Sequence, residues 1–220
     1  VSLERVLDAP SYQFDEVISN AAQSARELSG ELSGLLGSLE EFARQGFSLS
    51  ESLDLAETTT LLTNISDLDA SESVDALIAA QKAFNVTAED SIQIADKLNE
   101  VDNNYAVTTG VLAESLNRAA ATATTFGVTL DELIGNTTAI GEVTRESGSI
   151  IGNSLRTIYA RITNNRSAIT ALNEIGISVT DVEGNAKSAT DILEELAGRW
   201  DGLSEAQRRN TAIGVAGIYQ

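Results

Sequence analysis

The chain has 220 residues, of which 42% are apolar and 5% aromatic, and its formal net charge is −19. This composition predicts a globular protein whose core consists of Leu, Ile, Val and Ala with few large rings. The chain contains no cysteine and no histidine, which excludes disulfides, thiolate metal sites and most zinc-dependent or triad-based catalysis. We therefore expect no metal and no cofactor.

The acidic residues are concentrated in the first half of the chain. Residues 1–117 hold 5 basic and 21 acidic side chains, whereas residues 118–220 hold 9 and 12. Such a surface disfavours sequence-specific nucleic-acid binding and adsorption to anionic lipid. No apolar run approaches the length of a membrane span, so we expect no membrane insertion by this segment.

The first predicted element is a coiled-coil-like helix within residues 1–45. Spacings of four and three connect Phe14, Ile18, Ala21, Ala25, Leu28, Leu32, Leu35, Leu39 and Phe42. This heptad pattern predicts an oligomer seam at Ile18, Ala25, Leu28, Leu32, Leu35, Leu39 and Phe42. The partner helix comes from the same chain or from another copy, and an ordinary amphipathic helix packed on its own domain is the alternative.

Residues 46–164 contain a turn signal that recurs three times. The three occurrences are Gly46 with Ser48 and Glu51, Asn85 with Thr87 and Asp90, and Gly127 with Thr129 and Glu132. A Gly or Asn can end a helix in the left-handed conformation, the hydroxyl can cap the next helix, and the acid can complete a capping box. Further breaks near 66–71, 102–104 and 141–148 predict three helix-turn-helix units.

Residues 165–220 are predicted to be mostly helical. Helices are expected at 167–174, 188–199 and 204–214, the last with a capping box between Ser204 and Gln207. Alternating residues at 177–186 with a Gly-Asn pair predict a small β-hairpin-like excursion. Trp200 is expected to anchor the core, with an interface hot spot as the alternative. The predicted fold class is therefore all-α, a helical hairpin array.

The charged residues do not form a recognisable catalytic or metal site. Adjacent acids such as Glu194 and Glu195 point about 100° apart on a helix and cannot flank one sugar bond. The acids at Asp67, Asp69 and Glu72 lack the pattern of a calcium loop. The arginines of this region are Arg145, Arg156, Arg161 and Arg166. We expect them to pair with acids of neighbouring helices. No catalytic, cofactor-binding or metal-ligating residue is assigned.

Residues 126–220 contain a series of short sequence motifs, here called the ordered words, that follow one another in a specific order. They are Phe126-Gly127-Val128-Thr129, Gly141-Glu142-Val143-Thr144-Arg145-Glu146-Ser147, Ile151-Gly152-Asn153-Ser154-Leu155-Arg156-Thr157, Leu172-Asn173-Glu174-Ile175-Gly176-Ile177, Ile192-Leu193-Glu194-Glu195-Leu196, Trp200, Leu203-Ser204-Glu205-Ala206-Gln207 and Ala216-Gly217-Ile218-Tyr219-Gln220. In order and spacing they resemble the core region of phage tail tape measure proteins. The family pattern would continue into further helix beyond Gln220.

The resemblance implies a multicopy structural protein of the virion, made in the host cytoplasm and held in the lumen of the tail. Such a protein sets tail length, nucleates tail-tube assembly and leaves ahead of the DNA. The implied partners are other copies, the tail tube protein, tail assembly chaperones and distal tail or tail tip proteins, with passing DNA not bound specifically. The acidic surface would then keep DNA from adhering, although a plain solvated surface also explains it. The family core carries no catalytic residues.

Two other classes of function remain open from the residues alone. A bacterial surface or adhesin-type helical interaction module would also be acidic and free of cysteine, but it would not be expected to carry the ordered words. A carboxylate-only hydrolase would need two acids that converge in one pocket.

Overall fold

The computed structural model describes the backbone of residues 11–217 and the side chains of residues 15–217, and this part of the chain is all-α, as predicted. Its eleven α-helices are α1 Ser11–Glu27, α2 Leu32–Arg44, α3 Leu49–Ile65, α4 Ala70–Phe84, α5 Ser91–Asn104, α6 Thr109–Thr125, α7 Leu130–Thr144, α8 Gly148–Asn164, α9 Arg166–Glu174, α10 Ala189–Arg199 and α11 Glu205–Ala216. A 3₁₀ turn, Trp200–Gly202, follows α10. Within the described range, no helix combines the length and the apolar character needed to cross a membrane.

The chain forms two compact units, an N-terminal unit of residues 1–117 and a C-terminal unit of residues 118–220. In the N-terminal unit α3 is the central helix and packs against α1, α2, α4 and α5. In the C-terminal unit α8 has this role and packs against α7, α9, α10 and α11. In each unit, therefore, one helix provides the surface on which the others assemble.

The recurrent turn signal produces the backbone geometry expected from the sequence. Gly46, Asn85 and Gly127 have φ values of 91°, 60° and 73°, all in the left-handed region. At the first turn, the Ser48 hydroxyl accepts from the backbone N–H of Glu51 at 3.3 Å. The Glu51 carboxylate accepts from the Ser48 N–H at 2.8 Å, which completes the predicted capping box and fixes the start of α3.

The third turn also has a complete capping box, whereas the middle turn has a variant of it. Thr129 and Glu132 exchange backbone and side-chain hydrogen bonds of 2.6 and 3.3 Å. In the middle turn the Asp90 N–H donates to the Thr87 hydroxyl at 3.2 Å, but the Asp90 carboxylate accepts from that hydroxyl and not from the Thr87 N–H. Aspartate is one methylene shorter than glutamate, and α5 accordingly begins at residue 91 with Asp90 as its N-cap.

The long N-terminal helix expected from the heptad pattern is two helices, α1 and α2, joined by a turn at residues 28–31. Ser29 adopts a left-handed φ of 55°, and the Gly30 N–H donates to the Ala25 carbonyl at 2.8 Å. A Cβ atom on Gly30 would lie 2.4 Å from the Cγ2 atom of Thr60 on α3. The turn therefore depends on a close approach to α3, which heptad spacing does not reveal.

The excursion predicted at 177–186 contains one isolated antiparallel β-bridge between Thr180 and Ala186. Next to the bridge, the Lys187 N–H donates to the Val179 carbonyl at 3.0 Å and the Asp181 N–H donates to the Asn185 carbonyl at 2.9 Å. The segment is thus a tight turn of β type between α9 and α10.

The close contact at Gly30 leads to a stability prediction with an internal control. We expect Gly30→Ala to lower the free energy of unfolding by about 1–3 kcal/mol, because the added methyl group collides with Thr60. Thr60→Ser removes the opposing methyl group and should restore much of the loss in the double variant. Gly34→Ala, at a position with open space inside α2, should instead stabilise by about 1 kcal/mol. Urea unfolding followed by circular dichroism measures all of these variants, and an unaffected Gly30→Ala would show that the turn does not approach α3.

Candidate interaction surfaces

The predicted seam residues are divided between the core and the surface of the N-terminal unit. Ala25, Leu35 and Leu39 form one buried apolar cluster, which also contains Ala21 of α1 and Ala56 of α3. Phe42 is also buried, Leu28 is half-buried, and Ile18 and Leu32 are 45% and 38% exposed. The side chain of Phe14 lies outside the described residues.

These positions give the apolar pattern of α1 and α2 a partner helix within the same chain, namely α3. Association of copies along the seam stays a prediction. Among the seam residues it would have to use the exposed Ile18 and Leu32, since Leu35 and Leu39 are already enclosed.

Substitutions at two leucines of α2, one buried and one exposed, distinguish an effect on folding from an effect on association. We expect Leu35→Asp to unfold the N-terminal unit, because it puts a charge at a site that is 1% exposed, at a cost of more than about 3 kcal/mol. Leu32→Asp should change stability by less than about 0.5 kcal/mol. If copies associate along the seam, Leu32→Asp should also lower the fraction of the chain that sediments as an oligomer. Equal destabilisation by the two variants would contradict the burial described for α2.

The acidic surface of the N-terminal unit contains one carboxyl group with an unfavourable electrostatic environment. Partial burial raises the pKa of Asp54, and the neighbouring charges of Glu57, Glu89 and Glu51 raise it further. In contrast, hydrogen bonds from Ser48 lower the pKa of Glu51. The ionised form of Asp54 is therefore disfavoured in the folded chain, while that of Glu51 is favoured.

Because the pKa of Asp54 is raised, replacing its carboxyl group should stabilise the fold by an amount that depends on pH. Above its folded pKa the ionised group opposes folding, and this penalty is relieved as pH falls through that pKa towards 3.8, the ordinary pKa of an aspartate. Asp54→Asn should therefore be more stable than the wild type at pH 7, and the difference should shrink as pH is lowered. Asp96→Asn, on the exposed face of α5, controls for the loss of one negative charge. Urea midpoints at pH 7 and pH 4 test this, and a difference that grows on acidification would contradict it.

The C-terminal unit has an open groove of about 690 Å³ between α9 and α11, near the end of α8. Its floor is formed where Gly214 meets α9, since a Cβ atom on Gly214 would lie 3.1 Å from the Ser167 carbonyl oxygen and 3.2 Å from Ala171 Cβ. Arg166 lies on the rim, together with Ile213, which is 40% exposed. The groove thus combines a floor of small residues, one exposed apolar side chain, an exposed arginine on the rim and one acid, Glu174, in its lining.

Arg161 does not act as the salt-bridge partner that the sequence suggested. Its Nη2 atom donates to the Gly214 carbonyl at 3.0 Å and its Nε atom donates to the Val215 carbonyl at 3.3 Å. These carbonyls belong to the last turn of α11, which lacks intrahelical donors, and a cation is favourable there. Arg161 therefore fixes the end of α11 against α8 and holds one end of the groove in place.

The turn between α9 and α10 presents one apolar residue to solvent. The Asp181 carboxylate accepts from the N–H groups of Glu183 and Asn185 at 2.9 and 2.8 Å. The Asn185 side-chain amide also donates to this carboxylate, at 3.0 Å. Together these hydrogen bonds lower the pKa of Asp181, and the bond from the Asn185 side chain contributes most. A salt bridge from Lys187 to Glu195 ties the turn to α10. Val182 is fully exposed at the tip, so its own chain does not cover it.

Trp200 is half-buried and begins the 3₁₀ turn after α10. Its carbonyl oxygen accepts from Arg208 Nε at 2.9 Å, which connects this turn to α11. Both roles considered for the side chain, core anchor and interface hot spot, stay predictions.

The three acids considered for a calcium site have structural roles. Asp69 and Glu72 form the capping box that begins α4, and Asp67 accepts from the backbone N–H of Gly110 at 2.9 Å. The buried phenol of Tyr159 accepts from Asn136 Nδ2 at 2.8 Å, and burial raises its pKa to about 12. Tyr159 is therefore a neutral tie between α7 and α8, and the features open to a partner are surfaces of helices and turns.

These surfaces on an all-α scaffold are consistent with a structural and interacting protein, and comparison with known proteins defines its class. The sequence model of the phage-related minor tail protein family matches residues 22–217. The chain therefore belongs to this family, in the group of phage tail tape measure proteins, and is a structural component of a phage tail.

Two curated relatives carry the name of a tape measure protein, one of them as a probable one. The chain is 23% identical over 180 residues to the "Tape measure protein" of Pneumococcus phage Dp-1. The aligned region covers 81% of this chain and 16% of the relative. It is 26% identical over 126 residues to the "Probable tape measure protein" of Escherichia phage P2, covering 57% of this chain and 15% of the relative. The chain thus spans about one sixth of the length of these relatives. No solved structure matches it significantly.

Proposed function

We propose that the chain is a segment of a tape measure protein that lies in the lumen of the tail, contributes to setting tail length and nucleates the tail tube, and leaves ahead of the DNA. The observation that carries the proposal is the family match over residues 22–217, together with two relatives named as tape measure proteins. The proposed partners are other copies, the tail tube protein, tail assembly chaperones and tail tip proteins.

The charge distribution supports a position along the path of DNA. Residues 1–117 carry 21 acidic and 5 basic side chains, and such a surface repels a phosphate backbone. DNA would pass along it without adhering.

We propose further that the segment is not enzymatic. The acids considered for a calcium site hold helix ends, as Asp69 and Glu72 do at the start of α4 and Asp67 does at Gly110 of α6. The purified chain should not cleave peptidoglycan, and cleavage abolished by a single carboxylate-to-amide change would refute this part of the proposal.

A deletion in the phage that encodes the chain tests the ruler function. Removing residues 85–127 takes out α5, α6 and their flanking turns. As one continuous helix these 43 residues would span roughly 65 Å, at 1.5 Å per residue. Because Asn85 and Gly127 interrupt the helices with left-handed residues, we expect the segment not to form one rod. Tails should then shorten by much less than this, and assembly or ejection should be impaired. Electron microscopy of the tails and plaque counts measure the two effects.

The possible outcomes separate the parts of the proposal. Normal tail length with normal tail yield and infectivity would contradict a tape measure function for this segment. Shortening by the full 65 Å with normal infectivity would instead mean that the segment is extended in the tail and acts as a plain ruler.

A further inference from the structure

We propose that the turn between α9 and α10 of one copy inserts Val182 into the groove between α9 and α11 of a second copy. The inference rests on the proposal that several copies act together in the tail, and it identifies the surfaces through which they would meet.

The first observation is a preorganised turn with an apolar tip. The Asp181 carboxylate, the bridge between Thr180 and Ala186, and the salt bridge from Lys187 fix the turn before any partner arrives. Val182 is fully exposed at its tip. A rigid segment loses little conformational entropy on binding, so burial of this one side chain would contribute most of its transfer free energy to association.

The second observation is a groove that suits such a tip. Its volume of about 690 Å³ exceeds the needs of one valine and its turn, and Gly214 and Ala171 form a floor that is close to the helix backbone. Ile213 lines the groove with 40% of its surface exposed, so it supplies an apolar contact. The chain's own tip does not occupy the groove, since Val182 is exposed.

The charges at the two sites are complementary. Asp181 and Glu183 flank the valine and give the tip a negative charge. Two cations, Arg161 and Arg166, and one acid, Glu174, line the groove, and Arg166 is exposed on its rim. This arrangement would place Glu183 of one copy beside Arg166 of the next and would direct the tip towards the groove. Both sites belong to residues 118–220, whose 9 basic and 12 acidic side chains repel a second copy far less than residues 1–117 would.

The geometry implies a heterologous contact, because the tip and the groove are different surfaces of the same unit. Contacts of this kind join copies head to tail and generate a ring if the rotation closes, or a file of copies if it does not. Each copy would then use one tip and one groove.

Sedimentation velocity of the 220-residue chain tests the inference. We expect Val182→Asp to weaken self-association at least tenfold, because it replaces a buried apolar contact by a charge. The substitution should leave the fold intact, since the side chain touches nothing in its own copy. Val143→Asp is the matched control, because Val143 is also a largely exposed valine of the C-terminal unit, and it should change association less than twofold.

A charge exchange tests the pairing itself. Arg166→Glu and Glu183→Arg should each weaken association at low salt by about three- to tenfold, and the double variant should recover to within about threefold of the wild type. Unchanged association in Val182→Asp, equal loss in Val143→Asp, or a double variant weaker than either single one would overturn the inference. If the wild type associates but Val182→Asp does not weaken it, only this interface is wrong and association of copies stands. A wild type that stays monomeric at about 1 mM would overturn the interface, while membership of the tail protein family would be unaffected.

Discussion

The close packing of helices through small side chains is the constraint on which both units depend. Aromatic residues make up 5% of the chain, and among the described residues every buried polar side chain except Gln81 is a serine or threonine. On α3, the hydroxyls of Thr58 and Thr59 donate to carbonyls one turn earlier at 3.0 and 2.9 Å. A hydroxyl that is satisfied inside its own helix avoids the cost of about 1–3 kcal/mol for an unpaired buried group. Neighbouring helices can then approach closely, as α11 approaches α9 at Gly214.

The local features of this fold could be predicted from the sequence because their causes lie within a few residues. The capping boxes at Ser48 and Thr129 follow from a hydroxyl and an acid three positions apart. The left-handed helix end at Asn85 follows from the residue type itself. The turn between α1 and α2 has a tertiary cause, the contact of Gly30 with Thr60, and its left-handed residue is Ser29, a type that gives no such signal. Heptad spacing alone therefore predicted one helix where the chain forms two.

The interaction surfaces were less predictable than the helices, for the same reason. The excursion at 177–186 could be located from its alternating residues, but the complete exposure of Val182 depends on how Asp181 closes the turn. The groove exists because α9 and α11 cross at Gly214, a contact between residues about 45 positions apart. Arg161 looked like a solvated cation in the sequence, yet it caps α11 because that helix ends beside α8. The tape measure family was recognised from the ordered words of residues 126–220 and not from any chemistry of a site.

The central structural claim is that α3, α4 and α5 pack against one another within the N-terminal unit and do not form a continuous rod. It is tested most directly by the distance between spin labels at Ser50→Cys, on the exposed start of α3, and Glu89→Cys, in the exposed turn before α5. The chain has no other cysteine, so both labels are unambiguous. Because the charge of Glu89 acts on Asp54 one turn along α3 from Ser50, pulsed electron resonance should give roughly 20 Å, as expected for labels on packed helices whose axes are about 10 Å apart. A distance of about 58 Å, the length of 39 residues in one straight helix, would contradict the folded-back arrangement.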